Sequence, residues 1–140
     1  MRIAQIIGRF CTESVSIFRM KEVLFLNLCL GMTCKEVRAH FDKNDITDEQ
    51  DMKNGFFWIR GWYPLFSERT YVGLCFQDGR LWMINIYPHF SEDAEGKPFR
   101  ISENGRMICE KWVEEHKEHL PANAKVYYDI RMPEVCICIR

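Results

Sequence analysis

The side chains best suited to chemistry are His116 with His119, Cys136 with Cys138, and His40 or His89 with any of seven cysteines. His116-Lys117-Glu118-His119 sets two imidazoles at i, i+3, a spacing that can place both on one helix face near a zinc ion. It lacks the His-Glu-x-x-His arrangement of a metalloprotease. The ordinary reading, preferred here, is a solvated helix end whose histidines favour the negative end of the dipole. Cys136-Ile137-Cys138 puts two thiols on one side of a strand. Zinc sites space such thiols by two to four residues and add a second pair, so these read as buried thiols. A Cys–His nucleophile pair would need a local signal that selects one cysteine, and none is present. Gly31 and Gly79 punctuate the chain and belong to no phosphate-binding fingerprint. The acids gather in loops, so no carboxylate pair for glycoside chemistry stands out. No catalytic residue, metal ligand or cofactor is assigned, and the chain is read as a non-enzyme.

What remains is chemistry suited to recognition. Phe56-Phe57-Trp58 and Trp62-Tyr63 are aromatic clusters interrupted by one cation, Arg60. A groove for single-stranded nucleic acid would interleave more cations, so core or protein interface is the better reading. Asp42 to Asp51 holds five acids and one lysine, and Glu92, Asp93 and Glu95 form a second acidic stretch. Both read as solvated loops able to face a basic partner. The candidate partner-binding residues are Asp45, Asp48, Glu49, Trp58, Trp62, Tyr63, Trp82, Glu92 and Asp93.

These residues need elements to position them. Ile3, Ile6, Ile7 and Phe10 fall at helical spacing, and Val15 and Ile17 alternate. Val23 to Leu30 is apolar except for Asn27 and reads as a buried strand. Gly31 then breaks the strand, and Thr33-x-x-Glu36 is a capping box, so a helix of about three turns with Val37, His40 and Phe41 on one face is expected. Thr47-x-x-Gln50 suggests a further helical turn inside the acidic loop. Asn54-Gly55 marks a turn before an aromatic strand, Phe56 to Phe66, in which Pro64 points to an edge or a strand end.

Tyr71 to Gln77 and Arg80 to Tyr87 flank Asp78-Gly79, the residues of a type I′ turn. A two-residue loop sets Gln77 against Arg80, Phe76 against Leu81, Cys75 against Trp82, and Leu74 against Met83. One face then carries Val72, Leu74, Phe76, Leu81 and Met83; the other carries Tyr71, Cys75, Trp82, Ile84 and Ile86. Both are apolar, so the hairpin is either covered twice or meets a partner. Met107 to Leu120 reads as a second helix, with Ile108, Cys109, Trp112, Val113, His116 and Leu120 in one stripe and Pro121 ending it. Lys125 to Arg131 and Glu134 to Arg140 read as strands joined near Pro133.

The 140 residues are one domain's worth of chain, and 47% apolar with 28% charged content is globular composition. A net charge of −1 argues against a strongly basic nucleic-acid binder. Gln5 and Arg9 interrupt any signal-peptide core, and Val23 to Leu30 is too short to span a bilayer, which needs ~20 apolar residues. An odd cysteine count inside apolar runs predicts seven reduced thiols and a cytoplasmic protein.

Leu28 to Phe41, with Leu30-Gly31-Met32-Thr33 and Glu36-Val37, resembles the Gly-Met-helix element of SmpA/OmlA (BamE-type) and β-lactamase-inhibitor-like domains. That resemblance implies a helix started by a Gly-Met turn and packed on an antiparallel sheet. The envelope role does not carry over, because no lipoprotein signal is read at the N-terminus. In its aromatic strands, acidic loops and lack of a catalytic motif the chain is also similar to small bacterial immunity proteins. That second resemblance implies a protein partner, a toxin, whose basic cleft the acidic loops would suit; the short apolar runs argue against a membrane partner and the net charge against nucleic acid. The expectation is a single α+β domain over residues 1–140. It has an antiparallel sheet of five or six strands, two main helices on one face, and a non-catalytic, toxin-neutralising role. The alternative is a small-molecule-binding or enzymatic domain with a pocket between sheet and helices.

Overall fold

Eight strands and two helices follow one another as two strands, a helix, four strands, a helix and two strands in a computed structural model that describes residues 24–25, 27–90, 103–129 and 134–140. Strands β1 (Leu24–Phe25) and β2 (Leu28–Cys29) form a small antiparallel pair, with Leu24 opposite Cys29. Asn27, at φ 71°, turns the chain between them, so the expected continuous strand is folded back on itself. Asparagine tolerates this left-handed conformation better than the apolar residues around it.

Helix α1 (Cys34–Arg38) follows and has the expected capping box. The Glu36 N–H donates to Thr33 Oγ1 at 3.2 Å, and the Thr33 N–H donates to Glu36 Oε1 at 2.9 Å. It spans five residues rather than three turns, with His40 and Phe41 in the turn beyond it.

A six-stranded antiparallel sheet is the centre of the fold, in the order β3-β4-β5-β6-β8-β7. Its strands are β3 (Ile46–Asp51), β4 (Phe56–Leu65), β5 (Glu68–Gln77), β6 (Arg80–Tyr87), β7 (Lys125–Asp129) and β8 (Glu134–Ile139). Helix α2 (Glu103–His116) and a 3₁₀ turn (Lys117–His119) connect β6 to β7. Helix α2 begins four residues before the expected Met107, which is 59% exposed and off the apolar stripe. Val37 of α1 and Cys109 and Trp112 of α2 pack in one cluster with Ile59, Leu74, Phe76, Ile84, Ile137 and Ile139. Both helices therefore cover the same face of the sheet, an α+β arrangement.

The outer edge of β6 is shared by two distant segments. β8 pairs with Ile84 to Ile86, while nearer the turn the Gly31 N–H donates to the Leu81 carbonyl at 2.6 Å. The Leu81 N–H returns a bond to the Met32 carbonyl at 2.7 Å. The Gly-Met turn thus extends the sheet before it starts a helix.

Cys29 is disulfide-bonded, with its partner outside the described residues, whereas Cys34, Cys75, Cys109, Cys136 and Cys138 are thiols outside any disulfide. This corrects the expectation of seven reduced thiols. An odd count argues against a full disulfide framework but leaves room for one bridge.

Candidate protein-binding surface

A bulge sets which aromatic side chains reach the sheet's second face. Gln77 pairs with Arg80 and Phe76 with Leu81, as the two-residue turn requires. The register then shifts, so that Cys75 faces Met83 and Leu74 faces Ile84. The reason lies in the spacing of Leu81, Ile84 and Ile86. Strict alternation cannot send Leu81 and both isoleucines inward, and one extra residue reconciles them. The two-face assignment is corrected accordingly: Ile84 and Ile86 join the helix-side core. Trp82 and Met83 both fall on the far side, where the Trp82 ring lies 6.1 Å from Phe56 and 6.0 Å from the Arg140 guanidinium.

The far side changes character along its length. At one end Trp62, Tyr71, Tyr87 and Cys136 form a second buried cluster with Phe90 packed on it. Trp62 stacks on Phe90 at 5.4 Å, and the Arg69 guanidinium lies over it at 5.1 Å. Toward the other end Phe56, Trp58, Trp82 and Met83 are half-buried. Asn85 lies between these ends, buried, with its Oδ1 lacking a hydrogen-bond partner.

The acidic stretch expected to be a solvated loop is mostly strand. Lys43–Asp45 is a 3₁₀ turn capped by Asp42, and β3 is an edge strand whose residues Thr47 to Asp51 are exposed. Charged side chains suit an edge because they discourage pairing with another chain. β3 can approach because Gly61 lacks a side chain. A Cβ there would collide with the Asp45 carbonyl oxygen.

The acids do not stand alone. Asp45 pairs with Arg69 at 2.7 Å, Asp48 with Arg60 at 2.9 Å, and Glu49 with the Arg38 fork at 2.5 and 2.8 Å. The Arg38 hydrogen bonds hold the Glu49 carboxyl below its ordinary pKa and raise that of Arg38. Arg60 also lies 4.7 Å from the Trp58 ring, so Asp48, Arg60 and Trp58 form one connected group. Glu49, opposite Ile59 in the register, sits on the helix side of the strand, apart from Asp48.

The sequence-selected residues therefore divide. Asp48, Trp58 and Trp82 share the far side. Trp62, 8% exposed, belongs to the buried aromatic end of that side. Tyr63, 5% exposed, points into the helix-side core against Phe41 at 5.0 Å, and burial pushes its phenol up to about 12. Glu92 and Asp93 lie outside the described residues. Phe56 and Met83 were not selected from the sequence. The parity of Phe56 with Trp58 was available there, whereas Met83 needed the bulge.

The side chains weighed for catalysis are engaged in packing. His116 stacks on Phe66 at 4.2 Å, with Trp112 at 4.7 Å, and His119 lies 5.8 Å from the same Phe66 ring. His89 Nε2 lies 2.8 Å from the Val135 carbonyl. Burial raises the pKa of the Cys34 and Cys75 thiols and takes that of Cys109 to about 12, away from the thiolate that nucleophilic chemistry needs. A groove of about 280 Å³, lined by Asn123, Lys125, Val126, Tyr127, Cys138 and Arg140, lies at the β7–β8 margin rather than between sheet and helices.

No protein-family model matches the chain, and no significant match was found among curated proteins or solved structures.

Proposed function

We propose that this chain binds another protein without catalysing a reaction, and that the partner is a bacterial toxin which it neutralises as an immunity protein. One observation carries the reading. The far side of the sheet passes from a buried aromatic cluster to half-buried Phe56, Trp58, Trp82 and Met83, bordered by the acidic edge strand. Half-buried tryptophans bring large contact area at little ordering cost and suit the centre of an interface. An acidic rim favours approach by a basic cleft.

Arginine pairing changes how the acidic rim must be tested. Neutralising Asp45, Asp48 and Glu49 together removes the carboxylates paired with Arg69, Arg60 and Arg38 while their positive charges stay, so the patch gains positive character as well as losing negative. Asp45→Asn/Asp48→Asn/Glu49→Gln should slow association with a basic toxin and flatten its salt dependence.

The decisive experiment is co-expression with the product of the adjacent reading frame. Wild-type chain should restore growth and form a stoichiometric complex, and Trp58→Ala/Trp82→Ala should lose most of the rescue while staying folded. No rescue together with no complex would overturn the proposal.

Among the described residues no helix is long and apolar enough to cross a membrane. A cytoplasmic site of action would need Cys29 reduced there, because reducing compartments rarely keep such bridges. Thiol counting under denaturing, non-reducing conditions should give fewer than seven. Seven would show that Cys29 is a thiol and restore the sequence expectation.

A further inference from the structure

The two edges of the sheet are protected unequally. β3 carries Asp48, Glu49 and Asp51 along five consecutive exposed residues, so two copies of this edge would set like charges together. β7 at the opposite edge reads Lys125-Val126-Tyr127-Tyr128-Asp129. Its outer side has no strand neighbour among the described residues. Tyr127 is 39% exposed and Tyr128 44%, two of the four large apolar residues most exposed among those described. An edge of this kind is a template for strand addition.

The strand is also complementary to itself. An antiparallel pair about a two-fold axis at Tyr127 sets Lys125 opposite Asp129 of the second copy, and the same at the other end. Val126 then faces Tyr128 of the second copy, and Tyr127 faces its own equivalent. The register with β8 places Lys125 opposite Cys138 and Tyr127 opposite Cys136, on the far side; Val126 is opposite Ile137, on the helix side. Opposite charges and aromatic or β-branched pairs directly across an antiparallel ladder are the favourable combinations. We propose that β7 is the self-association edge of this protein, joining two copies through a two-fold β7–β7 pairing into one twelve-stranded sheet. A contact of this kind is isologous and closes at two copies.

Five paired residues bury much less than the ~1,200 Å² of a standard stable interface, so the dimer is weak and forms at high protein concentration. Sedimentation velocity across a concentration series, with the full chain, tests it. A monomer–dimer equilibrium is expected. Lys125→Glu alone and Asp129→Lys alone should each weaken it about tenfold, because each sets like charges opposite one another twice. The double variant Lys125→Glu/Asp129→Lys should return to within about threefold of wild type, since the pairs are restored with their signs exchanged. Tyr127→Lys, which brings two ammonium groups together at the axis, should also weaken association about tenfold. It provides an independent reading if a charge reversal impairs folding. A chain that stays monomeric to about 1 mM overturns the proposal. So does a dimer indifferent to all these variants, or growth beyond two copies, which would signal β3 of one copy meeting β7 of the next.

Discussion

The turn between β4 and β5 and the turn between β5 and β6 have the same construction and different supports. Each is a two-residue loop, closed by Leu65 opposite Glu68 and by Gln77 opposite Arg80. In each, both loop residues have positive φ: 52° and 68° at Phe66 and Ser67, 50° and 82° at Asp78 and Gly79. Asp-Gly adopts these angles readily, so the second turn is written into its own two residues. Phe-Ser does not, and left-handed backbone costs about 1–2 kcal/mol for an ordinary L residue. The compensation comes from another element. The Phe66 ring stacks on His116 and lies 5.6 Å from Trp112, so helix α2 holds the strained turn closed. One hairpin is specified locally, the other by tertiary packing that offsets a local preference.

The comparison can be broken from either side. Phe66→Ala removes the ring while leaving an L residue at positive φ, and should destabilise the protein by about 2–3 kcal/mol in urea unfolding. A loss below about 0.5 kcal/mol would show that α2 does not support the turn. Gly79→Ala strains the locally specified turn without a packing cost, since nothing lies within 4 Å of the added carbon. The expected loss is about 1–2 kcal/mol.

Thr33→Ala sharpens the local side of the comparison at another place. Losing the hydroxyl that caps α1 should cost about 1 kcal/mol, and an unchanged midpoint would mean the cap contributes nothing. Ser67→Gly has the opposite sign: relief of the strained φ outweighs the added chain freedom, for a gain of about 0.5 kcal/mol.

The smallest effect belongs to His40. Burial lowers its pKa from the ordinary 6.5, so the folded state favours neutral imidazole. Its contribution is complete above the unfolded pKa and lost as pH falls through it. Stability should therefore decline as the pH falls below about 6.5, and His40→Gln should flatten that decline. An identical slope in the variant would remove His40 as its source.

The same division explains what the sequence could reveal. The Asp78-Gly79 hairpin, the Thr33-Glu36 box, the stripe of α2 and the Lys125 and Glu134 strands are local patterns, and each is found near its expected place. The pairing of β3 was not legible, because Thr-Asp-Glu-Gln-Asp shows no apolar alternation; an edge strand supported by neighbours on one side needs none. The bulge at Trp82 was hidden in Leu-Trp-Met-Ile, where no polar residue marks which side chain faces out. The Phe66 turn carries no glycine or asparagine to announce it.

For the candidate surface, the sequence selects Trp62 and Tyr63 together, yet alternation along β4 sends them to opposite faces. Their burial depends on Phe90, Arg69 and Phe41, residues distant in sequence that only the folded chain brings near. The three acid–arginine pairs likewise join residues 11 to 24 positions apart, beyond the reach of local spacing rules.

The double occupancy of the β6 outer edge has a consequence for the order of folding. From β3 to β6 each strand pairs with its successor through a short loop, so these contacts close with little loop entropy. The Gly31–Leu81 and Ile84–Ile139 contacts each close a loop of about fifty residues, from opposite directions along the chain. Contact-order reasoning therefore makes the four-stranded meander the early structure and the two clasps on β6 the late one. During synthesis the Gly-Met segment emerges some fifty residues before its partner strand, and β8 emerges some fifty residues after β6. Slowing of folding by Gly79→Ala, set against little slowing by substitutions at Ile137 or Met32, would be the kinetic signature of that order.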